Sequence, residues 1–299
     1  MNPISLAAAA LLATGATAAS QAPPGPPPAR EDIVVTGTRD AGRAVRDFVA
    51  AVTVETDDQI ARFATPVCPA SFGLPPAHNE VITARVRQIA DYVGLGAAAD
   101  DCLPNVVIVV TESGGDFVER LHHERPDLFR MMELSDIRRV LRLAGPSRAW
   151  QVVELRGADG RPTDWLEVGK ERRLRPALSG VMPSLTQRPT RQDLALSFIV
   201  FDLDAVAGLT LLQIADHAAM RALARTDAAA LPARRSILTL FADRDAGAAP
   251  AAELTGWDVA YLGALYRTAN SVSAHQQRSS VARTMRRELE SASARQSDP

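Results

Sequence analysis

The stretch LTLLQIADHAAMRAL, Leu209 to Leu223, decides how this chain is read. Leu209, Leu212, Ala215, Ala219 and Leu223 recur at helical spacing, Met220 widens the stripe, and His217 stands to its side. That pattern predicts an amphipathic helix carrying one histidine. Two roles are open to the histidine. It is either a half-buried helix residue bonded to a backbone carbonyl, with Asp216 beside it placed to pair with an arginine, or the remains of a metal site.

Working outward, LALSFIVFD, Leu194 to Asp202, reads as a strand that runs through Val206-Ala207-Gly208 into this helix. NVVIVVTES, Asn105 to Ser113, is β-branched with both faces apolar, which predicts an interior strand. Helices are predicted over Gly42 to Val54, from Val45, Phe48, Val49 and Val52, and through VITARVRQIADYVG, where Gly94 supplies the stop. Cys68 to Pro76 reads as a loop. Phe117 to Glu124 and Leu128 to Met132 read as helical pieces on either side of Pro126. AWQVVELRGADGRPTDWLEV predicts a β-hairpin around its Gly-Ala-Asp-Gly turn. In LTGWDVAYLGALY, Trp257, Tyr261, Leu262 and Leu265 share a helical face, and Ser271 to Leu289 is a polar, arginine-bearing helix. Strands and helices in this order give an α+β domain, a small sheet packed against several helices.

The run from Leu194 to about residue 268 resembles the C-terminal half of zincin-type metallopeptidases: a strand, the LTLLQIADHAAM helix, SILTLF, then LTGWDVAYLGALY. In that superfamily the helix reads HExxH followed by Ala-x-Gly. It is also similar to a family of uncharacterised exported proteobacterial proteins with the same C-terminal layout. The resemblance places Gln213 at the first zinc histidine, Ile214 at the general base, His217 at the second histidine and Met220 at the glycine. Zinc needs two imidazoles one turn apart and a carboxylate to take the proton of bound water, and isoleucine supplies neither. None of the five histidines, His78, His122, His123, His217 and His275, has another four residues on. The nearest imitation, HERPD from His123, contains a helix-breaking Pro126. The resemblance therefore implies a zincin-like scaffold with a vestigial site at Gln213, Ile214 and His217, no catalytic residue, no metal and no cofactor.

Other chemistries lack their signatures. No G-x-S-x-G, dinucleotide loop or phosphate loop occurs, Ser179-Gly180 reads as a turn, and Lys170, the one lysine, has no serine three residues before it. ESGGD, Glu112 to Asp116, reads as a strand-to-helix turn rather than a ligand loop. Asp202 and Asp204 are two carboxylates, too few for a calcium loop, and read as caps of the following turn. With 33 basic against 35 acidic residues, and arginines scattered along the chain, no nucleic-acid partner is expected.

The N-terminal residues 1–22, MNPISLAAAALLATGATAASQA, have an apolar run and an A-x-A site at Ala16 and Ala18, as in a secretory signal peptide. Residues 23–40 follow as a proline-rich linker and an extended segment, EDIVVTGTR, which resembles the start of the plug domain of TonB-dependent outer-membrane receptors. The α+β domain is expected over 41–290, with a disordered tail at 291–299. The apolar run is too short to span ~30 Å of hydrocarbon, so no integral membrane segment is expected in the mature chain. In an exported, periplasmic or extracellular setting, Cys68 and Cys102 are expected to form one disulfide, the alternative being two buried thiols. Together these features point to an exported, non-catalytic binding or scaffold protein. Its protein or peptide partner would sit in the groove a peptidase uses for substrate. The alternatives are a divergent metal-dependent hydrolase that recruits His122 or His123, and an accessory protein of outer-membrane transport.

Overall fold

The computed structural model describes residues 38–96, 98–99, 101–129, 131–168, 173–177, 187–233 and 235–296. The expected signal peptide, the proline-rich linker and EDIVVTG lie outside these residues, as do Lys170 and Ser179-Gly180. Thr38, Arg39 and Asp40, read as the end of the extended segment, form the first turn of helix α1 (Thr38–Val52). The fold thus starts earlier than residue 41.

The chain then forms β1 (Pro69–Phe72), α2 (Pro76–Tyr92), β2 (Val106–Thr111), α3 (Gly114–Glu124), a 3₁₀ turn (Pro126–Phe129), α4 (Leu134–Val140) and β3 (Ser147–Gly157). After β4 (Asp164–Val168) and β5 (Arg173–Ala177) come β6 (Thr190–Asp202), α5 (Leu203–Val206) and α6 (Leu211–Leu223). A second 3₁₀ turn (Ile237–Thr239), α7 (Leu240–Asp245), α8 (Gly256–Arg267) and α9 (Ala274–Gln296) complete it. The arrangement is α+β with a small mixed sheet in the order β1-β2-β6-β3, where β1, β2 and β6 are parallel and β3 is antiparallel to β6.

β2 is interior, as its continuous apolar run requires. Val106, Ile108 and Val110, with Ile199 and Phe201 of β6, face a large core built with α1, α2, α6, α8 and α9. Val109, Phe198 and Val200 face a smaller one with Val118, Phe129, Val140 and Trp150. The period of two along the strands thus separates two helical layers. In the smaller layer Trp150 stacks on Phe198 at 4.7 Å and on Phe129 at 6.1 Å between ring centroids.

Four further expectations are corrected. β1 lies inside the stretch read as a loop. Its four residues have little β propensity and are held by parallel pairing with β2, and at the exit Gly73 (φ 95°) passes so close to β2 that a Cβ would meet the Val110 carbonyl oxygen at 1.8 Å. The predicted hairpin does not form as such: β3 pairs with β6 over its whole length, while β4 pairs with β5. Leu128 and Phe129 end a 3₁₀ turn that starts at Pro126 itself rather than after it, Met131 and Met132 lie outside any helix, and Arg130 is outside the described residues. Residues 291–296, assigned to a disordered tail, continue α9.

Cys68 and Cys102 are joined in a disulfide that encloses the β1-α2-β2 crossover. Closing a loop of this length removes about 3–4 kcal/mol of unfolded-chain entropy. No helix among the described residues is long and apolar enough to cross a membrane.

Candidate functional site

Helix α6 is the keystone of the larger core. Residues 213–220 are all buried, so it is covered around its circumference rather than along one stripe, and Leu212, expected on the buried face, is 41% exposed. Its ends are closed by side chains. At the N-terminus Thr210 Oγ1 accepts from Gln213 N, and Gln213 Oε1 accepts from Thr210 N, a complete capping box. At the C-terminus the carbonyls of Arg221, Ala222 and Leu223 accept from Gln151 Nε2, Ser197 Oγ and Tyr266 Oη at 2.7, 2.8 and 2.6 Å.

Gln213, Ile214 and His217, the residues expected to form a vestigial site, are absorbed into this architecture. Besides its capping role, Gln213 donates from Nε2 to the Ala251 carbonyl at 2.9 Å. Ile214 is buried in the larger core. His217 is 2% exposed, not half-buried, with its ring against Phe201 and Phe241. Its Nδ1 lies 3.1 Å from the Ile237 carbonyl and its Nε2 3.1 Å from Ser147 Oγ. A carbonyl only accepts, so Nδ1 carries the proton and Nε2 accepts from the Ser147 hydroxyl. Burial, with the charge of Arg221 adding to it, lowers the His217 pKa to about 3, so the imidazole is neutral at physiological pH.

Ser147, at the start of β3, was not anticipated. Carbonyl, imidazole and hydroxyl in series have the connectivity of a nucleophile, its base and an orienting group. The base is nevertheless mismatched: general-base catalysis is favoured by a pKa near the working pH, and this imidazole resists protonation. The other histidines do not approach. His122 packs edge-on against Phe129 in the layer across the sheet, and His78, His123 and His275 are exposed. No group of three or more His, Cys, Asp or Glu able to hold a metal is assembled among the described residues.

Around His217 the polar groups complete one another. The Ile237 N–H donates to Asp258 Oδ2 at 2.9 Å, and the Ser236 hydroxyl donates to Asp258 Oδ1. Asp258 also accepts from Thr255 N and closes the capping box of α8. Burial raises the Asp258 pKa to about 6 even though all of these hydrogen bonds favour the carboxylate. The turn at Ser236-Ile237 is thus clamped between α6 and α8. On the next face of α6, Asp216 receives Arg85 Nε and Nη2 at 2.7 and 3.0 Å and the Leu254 N–H at 2.7 Å, all buried. This is the arginine pairing that the sequence suggested.

ESGGD and Asp202 satisfy each other as well. Asp202 Oδ1 accepts from Gly114 N at 2.7 Å and from Arg148 Nη1 at 2.8 Å, and makes no hydrogen bond to the helix it precedes. The N–H at the start of α3 is therefore occupied by protein, and Asp202 caps α3 rather than the turn that follows it.

A different environment lies at the open edge of β3. A pocket of about 290 Å³ is bounded by Arg139, Val140 and Leu143 from α4 and the loop after it, Ala149 to Gln151 of β3, Arg221 of α6, and Val54 and Arg225 to Asp227. Read along the sequence the arginines are dispersed, but the fold gathers three of them here. The sequence carried no signal for this, because Arg139 and Arg221 come from elements that meet only across the edge of the sheet. The chain matches no family model, no curated protein and no solved structure.

Proposed function

We propose that this chain is an exported, non-catalytic binding or scaffold protein on a zincin-like framework, in which the former active-site helix has become a structural keystone. The observation that carries the reading is the engagement of both His217 ring nitrogens by Ile237 and Ser147. The resemblance is supported by the meeting of three of its four segments, α6, Ser236-Ile237 and α8, at one hydrogen-bonded turn. Export is supported by the Cys68–Cys102 disulfide. Since α6 is covered on all sides, a protein or peptide partner would dock on the outer surface and not along this helix.

Two results would overturn the reading. Elemental analysis of purified mature protein after equilibration with zinc should give no stoichiometric metal that is lost in His217→Asn; one zinc per chain dependent on His217 restores the hydrolase. The Ser147–His217 hydrogen bond also favours a second, hydrolytic reading, which a serine-reactive fluorophosphonate probe decides. No labelling of Ser147 is expected at pH 7, because the neutral imidazole is too weak a base to activate it. For localisation, cell fractionation followed by non-reducing mass spectrometry should place the chain outside the cytoplasm with the Cys68–Cys102 peptides linked.

A further inference from the structure

In the pocket at the β3 edge, polar groups stand without protein partners. The lining carries three guanidinium groups, Arg139, Arg221 and Arg225, against one carboxylate, Asp227. Asp227 is within ion-pair distance of none of them among the described residues, and its Oδ1 accepts from the Ala229 N–H of its own turn at 2.9 Å. Arg139 shares Asp136 at 2.8 Å on its outer side, and Arg225 donates to Thr56 Oγ1. Arg221, partly buried, has no hydrogen bond or ion pair from its guanidinium among the described residues.

Two residues of the lining also carry buried polar atoms without a hydrogen-bond partner. Trp150 is 4% exposed and its Nε1–H meets no acceptor; Thr226 Oγ1 is buried without a partner. A buried donor left unmade costs about 1–3 kcal/mol, and native proteins keep few of them. Burial lowers the pKa of Arg221, and of Arg225 with the like charge of Arg139 adding to it. Three cations gathered on one partly dry recess, one of them without a hydrogen bond or ion pair among the described residues, are complementary to oxygen-bearing anions.

We propose that this pocket binds a small oxyanion-bearing molecule, a carboxylate or phosphate compound, through Arg139, Arg221 and Arg225. Its volume lies just below the ~300–1,000 Å³ usual for small-molecule sites, which selects a compact ligand. The inference rests on the reading of the chain as a binding protein, but it uses none of the residues that decide between that reading and a hydrolase. A zinc-loaded or probe-labelled protein would leave it standing, and an anion-blind pocket would leave the keystone role of α6 standing.

The test is calorimetric titration of the full mature chain with inorganic phosphate and, separately, with acetate and citrate at low ionic strength. Saturable binding of at least one is expected, and the anion that binds more tightly identifies the phosphate or carboxylate source. Arg221→Gln and Arg225→Gln should each weaken it at least tenfold, and Arg120→Gln, at an exposed position of α3, should leave it unchanged. Arg221→Lys, which keeps the charge and loses the fork, should fall between. Thermal unfolding of each variant shows that it is folded. Absence of saturable binding by folded wild-type protein, or binding equal in Arg120→Gln and Arg221→Gln, overturns the proposal.

Discussion

Helix α6 contributes to two polar environments that differ in one respect. Around Asp216 and His217 each ring nitrogen and carboxylate oxygen is engaged by a partner from another element. Around Arg221, one turn further along, the guanidinium has no hydrogen bond or ion pair among the described residues, and an indole N–H and a threonine hydroxyl nearby are buried without partners. Buried polar groups are tolerated when satisfied, so the first environment explains itself as structure. The second is a standing cost that folding does not require, and groups of that kind are where a ligand is sought. A histidine in a motif-like position marks the first environment in the sequence, whereas completeness of hydrogen bonding separates the two.

The contrast is sharpest in charge. Asp216→Ala leaves Arg85 only Gln88 and the more distant Glu253, leaves the Leu254 N–H unpaired in the core, and should cost about 3 kcal/mol in a urea titration, while the double replacement Arg85→Met with Asp216→Leu should recover part of that. Arg221→Met on the same helix removes a charge that burial already disfavours, and should change stability by less than about 1 kcal/mol in phosphate-free buffer. Equal losses in Asp216→Ala and Arg221→Met would erase the distinction.

The satisfied cluster also has a pH signature with two opposing parts. His217 stays neutral in the fold to about 3 while the unfolded chain protonates near 6.5, so its contribution is present above 6.5 and is lost as pH falls toward 3. Asp258 titrates near 6 in the fold and near 3.8 unfolded, so its contribution is present below 3.8 and is lost as pH rises through 6. Between these values each changes stability by about 1.4 kcal/mol per pH unit, in opposite directions. His217→Asn keeps a donor to the Ile237 carbonyl and cannot titrate. From pH 6 to pH 4 it should therefore gain about 3 kcal/mol relative to the wild type, and Asp258→Asn should lose a similar amount. Parallel stability profiles for the three proteins would mean that neither group is held away from its ordinary charge.

The sequence made the first environment partly legible and the second not at all. Helical spacing in VITARVRQIADYVG and β-branched runs in NVVIVV and LALSFIVFD located α2, β2 and β6, because burial on one face or two imposes those periods. The carbonyl bond of His217 and the arginine partner of Asp216 followed from what a buried imidazole and carboxylate require. β1 was missed because four residues, PASF, hold strand conformation by pairing with β2 rather than by propensity. The hairpin was misread because a local turn signal competes with the longer β3–β6 ladder, and the ladder wins. Ser147 and the arginine pocket arise where elements distant in sequence converge, and no local pattern records that.

The smallest effect offers the most controlled comparison, because it uses two threonines that face each other. Thr53 and Thr226 form an isolated antiparallel bridge, so their backbones share one setting. The Thr53 hydroxyl is bonded to Tyr261 Oη at 3.0 Å, whereas that of Thr226 is buried without a partner beside the pocket. Replacing hydroxyl by methyl is nearly constant in volume, so the difference between the two substitutions reads hydrogen bonding and little else. Thr53→Val loses a satisfied bond and leaves Tyr261 unpaired, and should cost about 1 kcal/mol or more. Thr226→Val removes an orphaned group and should be neutral or stabilising by up to about 1 kcal/mol without anion. If phosphate draws on the Thr226 hydroxyl, that advantage should shrink as phosphate is added, because the ligand then stabilises the wild type more than the variant. A constant difference across a phosphate series would exclude Thr226 from the contact and leave the arginines to hold the anion.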